Sequence, residues 1–273
     1  MKFPKSRSKL MLAAAVLAGA LSACAPKPNT VHLATLDQPQ DLASHQAKPG
    51  WATQGFSVAA ANPLATEAGY QVLKAGGSAI DAAIAVQMVL TLVEPQSSGI
   101  GGGAFLMHHD GQKVEAYDGR EVAPLAATDK LFLDARGKPL PFMEGVLSGL
   151  SVGVPGTLSL LETAHKEHGK LPWATLMQPA IQLADQGFKI SPRLHQALLA
   201  ENNLINDTVA ASYFYDAQRK PHPVGYVLKN PELAAILRTI AAQGSQALKQ
   251  GSVAQALVKK VRQHPTRPGS MTL

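Results

Sequence analysis

The most informative run of hydrophobic and polar positions is Ala79–Val93, apolar nearly all round a helix except at Asp81, Gln87 and Thr91. A helix without a polar face belongs between layers of structure and not on a surface. Ser78 marks its start, with Asp81 three residues on as a capping-box variant, and Glu94-Pro95 marks its end. Just before it, Asn62-Pro63 supplies an N-cap and a proline at the first helical position. A helix is therefore predicted from there to about Ala75, stopped by Gly76-Gly77. Ser57–Ala61, short and apolar, reads as a buried strand. Ala104–His109 and Gln112–Tyr117 read as two strands joined at Asp110-Gly111, a two-residue hairpin signal. A less regular stretch over about 122–150 leads to Val154-Pro155-Gly156 and an amphipathic helix closing at Gly169. Further helices are predicted over Pro172–Gln186, from Ser191-Pro192, from Asn230-Pro231 and over about Ser252–Gln263. Hairpin elements flanked by helices, without βαβ alternation or an internal repeat, predict an α+β fold.

The first residues follow a different logic. Lys2, Lys5, Arg7 and Lys9 precede an apolar run of about a dozen residues, Leu10–Leu21, and then Ser22-Ala23-Cys24. Such a run is too short to cross a hydrocarbon layer of about 30 Å at about 1.5 Å per residue, and it has the form of a secretory signal. Leu21-Ser22-Ala23-Cys24 resembles a bacterial lipobox, so residues 1–23 are expected to be removed and Cys24 to be lipidated. An ordinary signal peptide with an incidental cysteine is the alternative; that Cys24 is the one cysteine in the chain favours the lipid. The expected location is the periplasmic side of a bacterial membrane, with Ala25 favouring the outer one. Residues 24–50, polar and rich in Gln, Pro and Asn, read as a tether, and 51–273 as the folded part.

Composition narrows the picture further. A hydrophobic content of 46% excludes wholesale disorder, and one cysteine excludes a disulfide framework. The formal charge of +6 loses four positive charges with the signal, leaving +2 and no basic stripe, so nucleic acid is not an expected partner.

Gly99-Ile-Gly101-Gly-Gly103-Ala104 formally matches a dinucleotide fingerprint, but that chemistry needs a helix directly after the glycines, and here a strand follows. The glycines read either as a tight loop feeding the strand or as a wall of a substrate site. Asp118-Gly119-Arg120-Glu121 follows the return strand; its arginine could grip a carboxylate with two parallel bonds, or pair with its neighbour in solvent. The nine histidines form no metal set in sequence: His108 and His109 point to opposite faces of a strand, and His165 and His168 lack a third ligand. No phosphate-binding Walker loop is present. Cys24, once exposed as an N-terminus, could in principle use its own amine as a base, but lipidation and the tether argue against it.

Several ordered blocks resemble the γ-glutamyltranspeptidase family. They are Ala61-Asn-Pro-Leu-Ala-Thr-Glu-Ala-Gly69, Gly76-Gly-Ser-Ala-Ile-Asp-Ala-Ala83, Val93-Glu-Pro-Gln-Ser-Ser-Gly-Ile-Gly-Gly102 and Asp118-Gly-Arg-Glu-Val-Ala-Pro124, followed by Val154-Pro-Gly156, Gly169-Lys-Leu-Pro-Trp173 and Pro179-Ala-Ile-Gln-Leu-Ala184. The likeness covers roughly residues 51–270. It implies part of an αββα N-terminal-nucleophile hydrolase sandwich, made as a precursor that cuts itself into a large and a small subunit. The new N-terminal Thr of the small subunit would attack the γ-glutamyl bond of glutathione or a related γ-glutamyl compound, passing the acyl group to water or an amine. By the same likeness Arg120 would bind the α-carboxylate of the glutamyl group, and no metal or organic cofactor is expected. The family's nucleophile lies in a Thr-Thr-His-type segment that these 273 residues do not contain. The sequence is thus expected to correspond to the amino-terminal part of the large subunit and to lack turnover by itself. A glutaryl or cephalosporin-type acylase of the same superfamily and a non-catalytic envelope lipoprotein are the alternatives.

Overall fold

Two capped helices form the base of the fold. The structure, a computed structural model, describes residues 52–273, all within one compact unit. The expected signal (1–23), the lipidation site Cys24 and the tether (24–50) lie outside the described residues. Helix α1 is Pro63–Lys74, started by the Asn62 side chain accepting from the Leu64 amide. Helix α2 is Ala79–Val93, with the reciprocal Ser78–Asp81 capping box the sequence predicts. As its all-round apolar character requires, α2 is packed on several sides, with Ile84, Ala85, Met88 and Val89 fully buried. Its neighbours are α1, α4 (Thr157–His168), α5 (Trp173–Leu176) and α6 (Gln178–Gln186).

The remaining elements build outward from this stack. Strands β1 (Ala104–His109) and β2 (Val114–Gly119) pair antiparallel and lay one face on α4. Short helix α3 (Phe142–Val146) lies in the irregular stretch. After α6, the two-residue strands β3 (Phe188–Lys189) and β4 (Val227–Leu228) pair antiparallel around α7 (Pro192–Ala200) and α8 (Thr208–Phe214). Helices α9 (Pro231–Gln243) and α10 (Gly251–Arg262) follow. No helix among the described residues is long and apolar enough to cross a membrane.

Three expectations are corrected. Ser57–Ala61 is not a strand: neither two-stranded sheet among the described residues pairs with it, and an unpaired segment has no ladder to define one. The hairpin turn has four residues, not two. Pairing ends at His109–Val114, because the Asp110 carboxylate accepts the Gln112 and Lys113 amides and so closes Asp110–Lys113 as a loop. The helix expected over Pro172–Gln186 is two helices, because Pro179 has no amide to donate back toward Thr175.

Two buried carboxylates tie these elements together. Asp81 Oδ2 accepts the amides of Ser78 (2.8 Å), Lys170 (2.9 Å) and Leu171 (3.0 Å), joining the start of α2 to the link between α4 and α5. Glu94, at the C-cap of α2, accepts from Asn62 Nδ2 and Gln96 Nε2 and lies 3.1 Å from Arg193 Nε on α7. That last contact is an ion pair without hydrogen-bond alignment.

Replacing Asp81 by Ala strands three backbone donors, an expected loss of about 2–5 kcal/mol in urea unfolding. Asp81→Asn keeps one acceptor oxygen and should lose less; an Ala variant within about 0.5 kcal/mol of the parent would contradict this role. Asp207 N-caps α8 through the Val209 and Ala210 amides and pairs with Lys260 at 3.0 Å. The Ala210 amide first, and then Lys260, hold its carboxyl below the usual aspartate range. A lowered folded-state pKa contributes stability that is complete above the unfolded value and lost as pH falls through the folded one. Asp207→Asn keeps the cap and removes the charge, so stability should fall less steeply on acidification below about pH 4 than in the parent.

Candidate active site

Arg120 leaves the end of β2 at a junction of three backbone segments. Asp118 Oδ1 accepts the Arg120 amide at 2.9 Å, turning the chain out of the strand. Two residues on, Val122 and Val154 form an antiparallel bridge, with the Val154 amide donating to the Val122 carbonyl at 2.8 Å. The Gly102 carbonyl accepts the amides of Gly156 (3.0 Å) and Thr157 (3.1 Å), fastening the glycine-rich loop to the first turn of α4.

These approaches leave no room for side chains. A Cβ on Gly103 would stand 2.8 Å from Arg120 Cα and closer still to the Glu121 amide. One on Gly156 would stand 2.7 Å from the Arg120 carbonyl oxygen and closer to that of Gly119. Because these neighbours are backbone, they cannot swing aside. The two readings of the glycine-rich segment therefore merge: it feeds β1, and it also walls the segment that carries Arg120.

While the backbone of Arg120 is enclosed, its side chain is 65% exposed. The guanidinium touches Glu121 through Nε at 3.2 Å, and its Nη groups make no hydrogen bond among the described residues. A hydrogen bond from its own amide, and then the Arg120 guanidinium, hold the Glu121 carboxyl below the usual glutamate range. Arg120 thus has a fixed base and a free planar fork, which is the form needed to bind a ligand carboxylate with two parallel bonds. A cavity of about 970 Å³ lies elsewhere, lined by Tyr213, Ile236, Val253 and Leu257 among others, and contains no residue predicted to act chemically.

A family model for gamma-glutamyltranspeptidase matches residues 65–273. The chain belongs to the γ-glutamyltranspeptidase family. It is 42% identical over 217 residues to a glutathione hydrolase proenzyme of Bacillus subtilis, covering 79% of this chain and 36% of that protein. It is 40% identical over 208 residues to glutathione hydrolase 3 of Arabidopsis thaliana, covering 75% and 32%. The chain thus spans about a third of the length of these curated relatives.

Among solved structures it is similar to Helicobacter pylori gamma-glutamyltranspeptidase, with a TM-score of 0.77 and 34% identity over 82% of this chain and 64% of that one. A cephalosporin acylase from Bacillus halodurans is more distant, with a TM-score of 0.60 and 27% identity over 81% and 43%. The α+β class and the N-terminal-nucleophile hydrolase fold of the γ-glutamyltranspeptidases hold for this chain. Its described residues cover one face of the β1–β2 hairpin with helices and leave Phe105, Met107 and Val114 exposed on the other.

The histidines depart from the sequence reading. His165 turns toward Asp81 and the Leu171 carbonyl, whereas His168 turns to the hairpin and meets His108 across Glu115. The reading by helix spacing missed this grouping, because its third member is a cross-strand partner and no helix neighbour. Correct hairpin register, which sets His108 opposite Glu115, was the signal that could have found it.

The junction makes a direct prediction in urea or thermal unfolding. Gly156→Ala should cost about 1–3 kcal/mol by forcing backbone apart. Gly101→Ala, where an added Cβ meets nothing within 4 Å, should stay within about 0.5 kcal/mol of the parent. Equal effects at the two positions would contradict the close approach.

Proposed function

We propose that this chain is the donor-binding part of a γ-glutamyltransferase and glutathione hydrolase, with Arg120 holding the α-carboxylate of the glutamyl group. The single observation that supports this is the guanidinium with a backbone locked by Gly103 and Gly156 and Nη groups left for a ligand. A glutamyl donor brings a carboxylate four bonds or so from the amide to be cut, so one bidentate grip fixes where that amide lies. Glu121 partly neutralises the fork while the site is empty, and the donor carboxylate takes over the free Nη side.

The bond-breaking hydroxyl, on this reading, is the N-terminal Thr of a small subunit cut from the same precursor. It adds to the γ-carbonyl, the amine of the donor leaves, and a glutamyl ester on the enzyme is then taken by water or an amino-group acceptor. The names of the relatives, glutathione hydrolase proenzymes, support both the substrate class and the processing. The exposed apolar face of Phe105, Met107 and Val114 is where that subunit would complete the sandwich, since an apolar sheet face of this kind calls for cover. Lipidation at Cys24, after removal of residues 1–23, would hold the enzyme on the periplasmic side of a bacterial membrane. The lipobox-like segment, with the one cysteine at its end, supports that location. The acylase alternative rests on a more distant likeness, and no feature of the Arg120 junction favours it.

The test is cleavage of a γ-glutamyl anilide by the processed two-subunit enzyme. Arg120→Ala should lower kcat/KM by about 10- to 100-fold, the worth of a charged hydrogen-bonded contact, mainly through KM. Butyryl anilide, which lacks both the α-carboxylate and the α-amine, should be a poor donor for the parent and lose little more in the variant, whereas glutaryl anilide keeps the carboxylate and lacks only the amine. Faster turnover of the glutaryl compound than the glutamyl one would favour the acylase.

A further inference from the structure

We propose that His108, Glu115 and His168 form a binding site for a borderline divalent cation of the Zn²⁺ type, which clips the β1–β2 hairpin to the end of α4. The register pairs His108 with Glu115 across the hairpin, on the face that packs against α4, and the last residue of that helix, His168, closes over both. Glu115 Oε2 lies 3.6 Å from His108 Nδ1 and 2.9 Å from His168 Nε2, and the two imidazole rings are 4.1 Å apart. One donor atom from each residue falls within 4.8 Å of both others.

Two features separate this from a chance meeting of side chains. First, His108 Nδ1 and Glu115 Oε2 are buried from solvent and neither makes an aligned hydrogen bond. Second, the spacing is of the size an ion needs: donors about 2.1 Å from a tetrahedral centre stand about 3.4 Å apart, and Glu115 Oε2 stands 3.6 and 2.9 Å from the two histidine nitrogens. Two imidazole nitrogens and one carboxylate oxygen suit zinc and its transition-metal neighbours over magnesium or calcium, which take oxygen ligands.

The surroundings hold the donors in place. Lys113 Nζ binds Glu115 Oε1 at 2.7 Å, leaving Oε2 as the inward oxygen. Tyr117, two residues along the same strand face, has its hydroxyl 2.9 Å from His168 Nε2 and bonded to Glu167. It stands beside the cation position, able to complete the coordination or to orient a water there. Glu115 is five residues before Arg120, roughly 16 Å along extended chain, so the ion would brace the strand and not touch a donor bound at Arg120.

The experiment is a cobalt and zinc titration of the full chain carrying Cys24→Ser, which removes a competing thiol. One equivalent of Co²⁺ should give the visible absorption of a low-symmetry site, displaced by one equivalent of Zn²⁺, with Zn²⁺ raising the melting temperature. His168→Gln and Glu115→Gln should each weaken Zn²⁺ binding by at least about 10-fold, as loss of a ligand requires. His109→Ala, on the opposite strand face, should leave it unchanged. Variants are compared only where circular dichroism matches the parent, and two independent ligands are changed so that one misfolded variant does not decide the matter. Absence of a stoichiometric cobalt band in the parent, or a band that survives both ligand substitutions, overturns the proposal and leaves a histidine–glutamate ion pair that shares a proton.

Discussion

The structure depends first on a close approach of backbone to backbone where the glycine-rich loop, the exit of β2 and the start of α4 meet. One carbonyl, that of Gly102, accepts two amides of the first turn of α4, and glycines at 103 and 156 allow the Arg120–Glu121 segment to lie between. First-turn amides of a helix have no partner within the helix, so they are available to fix a neighbouring loop. The result is a side chain whose root is immobile and whose tip is free. That combination is uncommon for a surface arginine, which ordinarily spends its entropy in solvent. It suits an anchor for a ligand carboxylate, because the backbone that carries the guanidinium is ordered before the ligand arrives.

The helical stack beneath works by a related device. Asp81 and Glu94 are buried carboxylates, a costly choice unless donors gather around them. Asp81 gathers three amides from two distant stretches of chain, and Glu94 gathers side chains from the start of α1 and from α7. Both sit at ends of α2, the helix whose apolar surface reaches the other elements on all sides. Apolar burial gives that helix its energy but little register; the two carboxylates set where along its length the neighbours attach. Position at the Arg120 junction is inherited from this, since α4 packs on α2 and carries Gly156 at its N-cap.

Much of this was legible in the sequence because the signals are local. Asn62-Pro63, Ser78 with Asp81, Ser191-Pro192 and Asn230-Pro231 each start a helix where cap chemistry says they should. What was not legible depends on partners far away in the chain. Ser57–Ala61 has strand composition, but no described strand runs beside it. Asp110-Gly111 has the composition of a two-residue turn, yet the Asp110 carboxylate recruits two further residues. Arg120 was singled out through the likeness of ordered sequence blocks, since spacing alone could not separate it from a solvated ion pair; its locked backbone is a property of glycines 17 and more residues away, visible only once the chain is folded. The meeting of His108, Glu115 and His168 was hidden for the same reason, because it needs both strand register and helix placement.

The most direct measurement is the ¹⁵N resonance of the Arg120 side chain, followed in the chain assembled with the proposed small subunit as a γ-glutamyl amide is added. A guanidinium that holds the α-carboxylate should shift with the γ-glutamyl amide and stay still with 4-aminobutyramide, which keeps the amine and amide but lacks that carboxylate. Equal shifts with both compounds, or none with either while donor is still cleaved, would show that the fork at this junction is not what holds the substrate.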